Sequence, residues 1–330
     1  MNNPGDSIAK EKYRILCKSE PSIPVFSRDW WLDAACGKNN WDVVIVEDKQ
    51  EKIIASLPYL FKKKMGRTIV SQPPLTQKLG PWIFYKENIQ YAKKIGYENE
   101  VMSSLIDQLP SSDWFLQGFH HEITNWLAFY WKGFDQKTAY SYIIRDISDP
   151  EAVLQNFSRS KKKDINKAKK QVNICFDLSA KDFYENHKLT LSKQGRKISY
   201  TFEHFNNLYQ AGYKNNSAKT IYATDENGNL HGALFVIWDE NSAYDLISTI
   251  DPDHRNSGAA TLLIIEIIKY LSDKTKSFDF EGSMIKGVEF SFRQFGTEQV
   301  PMFFISKTNS KLIALYNLIR NEKYRKSSSA

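Results

Sequence analysis

The sequence predicts an α+β (broadly α/β) fold in two similar domains, each a mixed, mostly antiparallel sheet flanked by helices. Three observations carry this. Strand-like runs at hairpin spacing are followed by alternating helix-like and strand-like runs, and that order occurs twice along the 330 residues. Asn227-Gly228 separates two of the runs, and both residues tolerate the positive φ of a tight hairpin turn. At Asp149-Pro150 the first pattern ends, and Pro150 suits the first turn of a new helix. The expected domains are 1–149 and 150–308, with 309–330 as a C-terminal helix and frayed tail.

The second half gives the clearer order. Segment 151–170 reads as a joining helix, and 182–192 and 202–213 place apolar residues at helical intervals. Segments 219–225, 230–238 and 243–250 read as three antiparallel strands. A helix apolar nearly all round follows over 259–271, hence buried. Strand 277–281, helix 285–295 and strand 300–306 complete the set, and 309–324 again has helical periodicity. The first half repeats the order with a short helix at 28–36, strands at 42–47, 52–60 and 68–71, and a helix at 89–109. Strand 114–118, helix 123–131 and strand 139–144 then end it.

Composition excludes several classes. Hydrophobic residues make up 42% and charged residues 25%, which is globular and neither disordered nor fibrous. No apolar run approaches the ~20 residues of a membrane span. The start of the chain has no apolar core behind a basic end, so no signal peptide is expected and the cytoplasm is the expected compartment. Cys17, Cys36 and Cys175 are odd in number and far apart, which suits small core residues in a reducing compartment. The adjacent His120 and His121 lack a third spaced ligand, and no metal is expected. A net charge of +7 favours anionic partners: a phosphorylated cofactor, a nucleic acid or an acidic membrane face.

Between the third strand and the apolar helix of the second half stands Arg255-Asn256-Ser257-Gly258-Ala259-Ala260. Small residues at a helix start let a ligand approach the free N–H groups, and an anion is the natural guest. The spacing Arg-x-x-Gly-x-Ala resembles the acyl-CoA signature of GNAT acyltransferases. In the equivalent stretch of the first half, 72–82, prolines remove N–H donors and stiffen the chain, so it suits the wall of an acceptor pocket.

Four further pieces extend the resemblance along the chain to Fem-type and BioF2-like proteins, which are tandem GNAT-fold acyltransferases. Pro58-Tyr59, Pro73-Pro74-Leu75-Thr76 and Leu79-Gly80-Pro81-Trp82 resemble the first-domain signature. The basic run 160–170 resembles the helix joining the domains. Phe278-Asp279-Phe280-Glu281-Gly282-Ser283 resembles the Asp-Phe-x-Gly strand end of the second. Phe292-Arg293-Gln294-Phe295-Gly296 resembles a Phe-Lys-x-x-Phe-Gly turn, one residue short, with Arg293 as the nearest cation.

The resemblance implies transfer of an acyl group from acyl-CoA to an amine of a small or cell-envelope precursor. The Fem branch implies aminoacyl-tRNA and a peptidoglycan precursor instead, and a non-catalytic precursor-binding module is a third reading. Direct attack needs a base and an oxyanion stabiliser but no nucleophilic side chain. Asp279 and Glu281 alternate on one strand and are the candidate bases, the alternative being a helix cap or a partner for Arg293. Tyr244 is the candidate proton donor, with core packing as its alternative. Arg255, Asn256, Ser257, Gly258, Ala259 and Ala260 are the candidate donor cradle. Pro74, Thr76, Gly80, Trp82 and Arg293 are the candidate acceptor contacts. Six lysines at 161–163, 167, 169 and 170 suit a phosphate backbone or simply a wet helix face.

Overall fold

The computed structural model describes residues 7–64 and 66–310. Twelve strands occur among them: β1 (Trp41–Glu47), β2 (Ile53–Lys64), β3 (Arg67–Ser71), β4 (Trp82–Ile83), β5 (Trp114–Gly118) and β6 (Asp135–Ile144), followed by β7 (Asn173–Phe176), β8 (Ala218–Thr224), β9 (Leu230–Trp238), β10 (Ser242–Ile250), β11 (Ser277–Asp279) and β12 (Glu298–Thr308). The expected helix over 309–324 lies almost wholly outside the described residues.

The chain forms two compact units. Unit 1 holds Cys36–Thr138 with the segment before Glu20 and the segment from Met302 onward. Unit 2 holds Glu20–Ala35 and Ala139–Pro301. The boundary expected at 149 therefore falls inside unit 2.

The sheets explain why. In unit 1, β1, β2 and β3 run antiparallel, β3 pairs with β5 in parallel, and β5 pairs antiparallel with β12. In unit 2, β7, β8, β9 and β10 run antiparallel, β10 pairs with β11 in parallel, and β11 pairs antiparallel with β6. One strand plan thus occurs twice, and the last strand of each sheet comes from the other half of the sequence.

Local chemistry sets the elements of unit 2. Asp225 accepts hydrogen bonds from the N–H groups of Asn227 and Asn229 and closes the β8–β9 turn, where Gly228 has φ 80°. The joining helix expected as one piece is two, Pro150–Asn156 and Arg159–Ala168. Ser158 interrupts it, its hydroxyl accepting from the Lys161 N–H as an N-cap while its own N–H donates to the Gln294 carbonyl. Helix Ala259–Leu271 buries nine side chains and is the spine of a core that includes Val236, Leu263, Ile267, Phe278, Phe280 and Phe295. Each such side chain contributes about 1.5–3 kcal/mol by leaving water. Unit 1 has its own core, which includes Leu57, Val70, Phe115, Phe119 and Ile305 together with Leu105 of helix Tyr91–Gln108.

Candidate active site

Three of the predicted site residues come together where β10 meets β11. The parallel pairing there spans only three positions, Ser242 opposite Ser277, Ala243 opposite Phe278 and Tyr244 opposite Asp279. Beyond Tyr244 the strand β10 runs on to Ile250 without β11 beside it, so the two strands part at this point.

Asp279 is fully buried, and its Oδ1 accepts from the Ser141 hydroxyl at 2.5 Å and from the Glu281 N–H at 2.8 Å. Those bonds fasten β11 to β6 and set the turn that follows, so Asp279 acts as a clamp. The strand expected to continue to 281 ends here, and Glu281 is not its strand-mate. Glu281 has φ 62° and Gly282 φ 70°; a Cβ on Gly282 would collide with the Tyr140 carbonyl. A glutamate in the left-handed region is uncommon and costs of order 1 kcal/mol, which the tight crossing over Tyr140 and Ser141 enforces.

Tyr244 is 1% exposed, and its ring lies 5.0 Å from that of Phe26. Burial first, then the carboxylates of Asp239, Asp279 and Glu281, pushes its hydroxyl well above the ordinary range, so it stays a phenol and a donor. Asp239 is itself buried and accepts from the N–H groups of Val25, Asn241 and Ser242, which ties Glu20–Ala35 into this unit.

The sequence reading left out Asp245 as a site residue. It is buried at the point where the strands part and next to a β-bulge at Leu246. One carboxylate oxygen accepts from the exposed Ser248 hydroxyl at 2.6 Å, and the other has no hydrogen-bond partner. Burial raises its pKa from 3.8 to about 6, against the smaller opposing effect of Ser248. Alternation along β10 turns it to the opposite face from Tyr244. An acid inside the otherwise neutral YDLISTI strand was the available signal.

The donor loop differs from expectation. Residues Pro252–Ser257 form a 3-10 turn, and Gly258 caps the apolar helix with φ 83°. A Cβ on Gly258 would collide with the Asp164 carbonyl of helix Arg159–Ala168, so this glycine serves packing against the lysine helix. The Ala259 N–H donates to the Ser257 hydroxyl, and the Lys167 ammonium donates to the Asn256 carbonyl. Ser257, Gly258 and Ala259 are buried, Ala260 is half-buried, and only Arg255 and Asn256 are exposed. A pyrophosphate seated on the backbone of this turn does not fit these residues.

The acceptor residues expected in unit 1 are mostly structural. Thr76 is 1% exposed, and Trp82 is buried as part of β4, opposite Ser56 of β2. Gly80, φ 87°, leaves room for the Phe119 ring, which a Cβ would meet at 2.7 Å. Only Pro74 is exposed. In unit 2, Arg293 is exposed and lies over the Phe290 ring at 4.9 Å.

A groove of about 490 Å³ opens elsewhere in unit 2. Lys169, Lys170, Asp225, Asn227, His231 and His254 line it, and the two imidazoles stack at 4.0 Å. It does not reach Tyr244, Asp245 or Asp279. Among the described residues no three His, Cys, Asp or Glu side chains are placed to hold a metal, and no helix is long and apolar enough to cross a membrane.

Neither a protein-family profile nor a curated protein matches the sequence. Solved structures do. FemX aligns over 95% of this chain and 99% of its own, with a TM-score of 0.66 and 14% identity. L-PGS from Bacillus licheniformis aligns over 97% of each chain, with a TM-score of 0.55 and 10% identity. A conserved protein of unknown function from Bacteroides thetaiotaomicron aligns over 92% of this chain and 98% of its own, at 0.53 and 9%. At these identities the likeness is one of fold alone: the chain has the fold of FemX and of L-PGS.

Proposed function

We propose that unit 2 transfers an acyl-type group from an activated carrier to an amine, with Asp245 as the base. The observation that supports this most directly is a buried carboxyl with pKa about 6 at the point where β10 and β11 part. A base of that strength is ionised at neutral pH yet basic enough to take an ammonium or amine proton during attack. The amine nitrogen bonds to the acyl carbon, the bond from that carbon to the carrier breaks, and the amine proton passes to Asp245. The departing oxygen or sulfur takes up a proton from water, because Tyr244, the donor expected from the sequence, faces the other side of β10 from Asp245.

The acceptor in this reading is an amine of a small or cell-envelope precursor. For the carrier, the covered turn at 257–259 weakens the acyl-CoA reading, which keeps only the exposed Arg255 and Asn256 as phosphate contacts. Aminoacyl-tRNA is favoured instead by the exposed Lys163, Lys167, Lys169 and Lys170 beside Arg255, a spacing of cations suited to a phosphate backbone. The fold shared with FemX agrees with either carrier.

The test is transfer to hydroxylamine, a small reactive amine, from acetyl-CoA and from charged tRNA in parallel. Transfer from charged tRNA that disappears in Asp245→Asn supports the proposal. Transfer from acetyl-CoA alone reverses the choice of carrier. No transfer from either donor, with the fold intact, overturns it in favour of a binding module.

A further inference from the structure

Helix Lys286–Arg293 buries none of its side chains, although three of its eight residues are Phe or Val. Met284, Ile285 and Phe290 are 65%, 63% and 54% exposed, three large apolar groups within seven residues. Lys286, Phe290 and Arg293 fall at helical spacing on one exposed face, so cations flank the aromatic ring. Helix Arg159–Ala168 lies alongside: the Ser160 hydroxyl donates to the Gln294 side chain at 2.6 Å, and the Lys161 ammonium donates to the Ser291 hydroxyl at 2.9 Å. Its first turns add the exposed Arg159 and Lys163 to the same neighbourhood. The acidic side chains nearby are engaged or outnumbered, since Glu289 pairs with Arg293 at 3.6 Å and Asp164 stands among four lysines.

From these contacts we infer that this face of unit 2 docks on a bilayer surface containing anionic phospholipid, with Met284, Ile285 and Phe290 entering the headgroup layer. Charge complementarity selects the occupant. Each Lys or Arg close to an anionic surface favours binding, and apolar side chains dipping past the headgroups add to it. A nucleic acid would also match the cations and could stack on Phe290, but stacking gives no role to the aliphatic Met284 and Ile285. A bilayer interface accounts for all of them. The inference does not depend on which carrier or acceptor the active site uses.

Co-sedimentation of the full chain with vesicles tests it. One set is phosphatidylcholine alone, the other phosphatidylcholine mixed with phosphatidylglycerol. The expected result is binding to the anionic vesicles only, weakened about tenfold or more in the M284S/I285S/F290S variant and in K286E/R293E, and by raised salt in the wild type. All of these substitutions are at exposed positions, and melting temperatures confirm the fold. Three results would overturn the proposal: no vesicle binding, vesicle binding equal in the variants, or self-association lost in the triple variant while vesicles are ignored. Binding of uncharged tRNA that the triple variant abolishes, without vesicle binding, would assign the face to nucleic acid.

Discussion

The two units share a strand plan, and the same junction in each has opposite character. In unit 1 the parallel step pairs Val70 with Phe115 and Ser71 with Leu116, next to a loop whose Thr76, Gly80 and Trp82 are packed away. In unit 2 the parallel step pairs Tyr244 with Asp279, and Asp245 follows as the strands part. Unit 1 carries only neutral side chains at its junction, Ser71 and the buried Gln117 among them; unit 2 buries three ionisable ones there. Burying such groups costs stability unless they are bonded, and Asp279 is bonded whereas one oxygen of Asp245 is not. The proposal that the chemistry lies in unit 2 rests on that difference.

The largest effect should come from removing the odd group. Asp245→Asn is expected to lower transfer by about 100-fold or more, the scale of a lost general base. Ser71→Ala at the matching junction of unit 1 should leave the rate unchanged in the same assay. Rates equally reduced by both would erase the contrast.

Next in size are the clamps. Asp279→Asn should destabilise the protein by about 2–3 kcal/mol in urea titrations, since it weakens two buried bonds at once. Gly258→Ala should cost about 2 kcal/mol, because it strains φ 83° and presses on the Asp164 carbonyl. The structural account has that loss appear in stability, with donor affinity retained in whatever folds. An intact melting temperature with lost donor binding would restore the ligand role for this glycine.

A smaller effect lies in the pH dependence of stability. The folded state holds the Asp245 proton up to about pH 6, whereas the unfolded chain releases it near 3.8. Between those values the native state binds more protons, so stability falls as pH rises, and the loss is complete above about 6. The shift corresponds to about 3 kcal/mol at most. Asp245→Asn should remove this slope, and a slope unchanged in the variant would place Asp245 in an ordinary solvated setting.

Much of the fold was legible. The Asn227-Gly228 hairpin, the apolar helix at Ala259–Leu271 and the doubled order of elements followed from turn chemistry and periodicity. The exchange of last strands was not, because the alternation of Ala139 to Ile144 or of Val300 to Ser306 says strand without saying which sheet. Sequence also could not foresee the packing of Asp164 against Gly258. Small residues at a helix start suit a ligand and a neighbouring helix equally well. Tyr244 stands opposite Asp279 in the structure, but the expected alternation of Asp279 and Glu281 on one strand depended on where β11 ends, which periodicity does not reveal. Asp245 escaped because its significance lies in burial and in an unpartnered oxygen, both properties of packing.

The most direct test is the pH–rate profile of transfer to hydroxylamine, in wild type and Asp245→Asn, with the donor that supports turnover. The account predicts a rate that rises with pH to a plateau with a midpoint near 6, and a variant that loses both the limb and most of the rate. A variant that keeps the wild-type rate and the same limb would show that Asp245 is not the base.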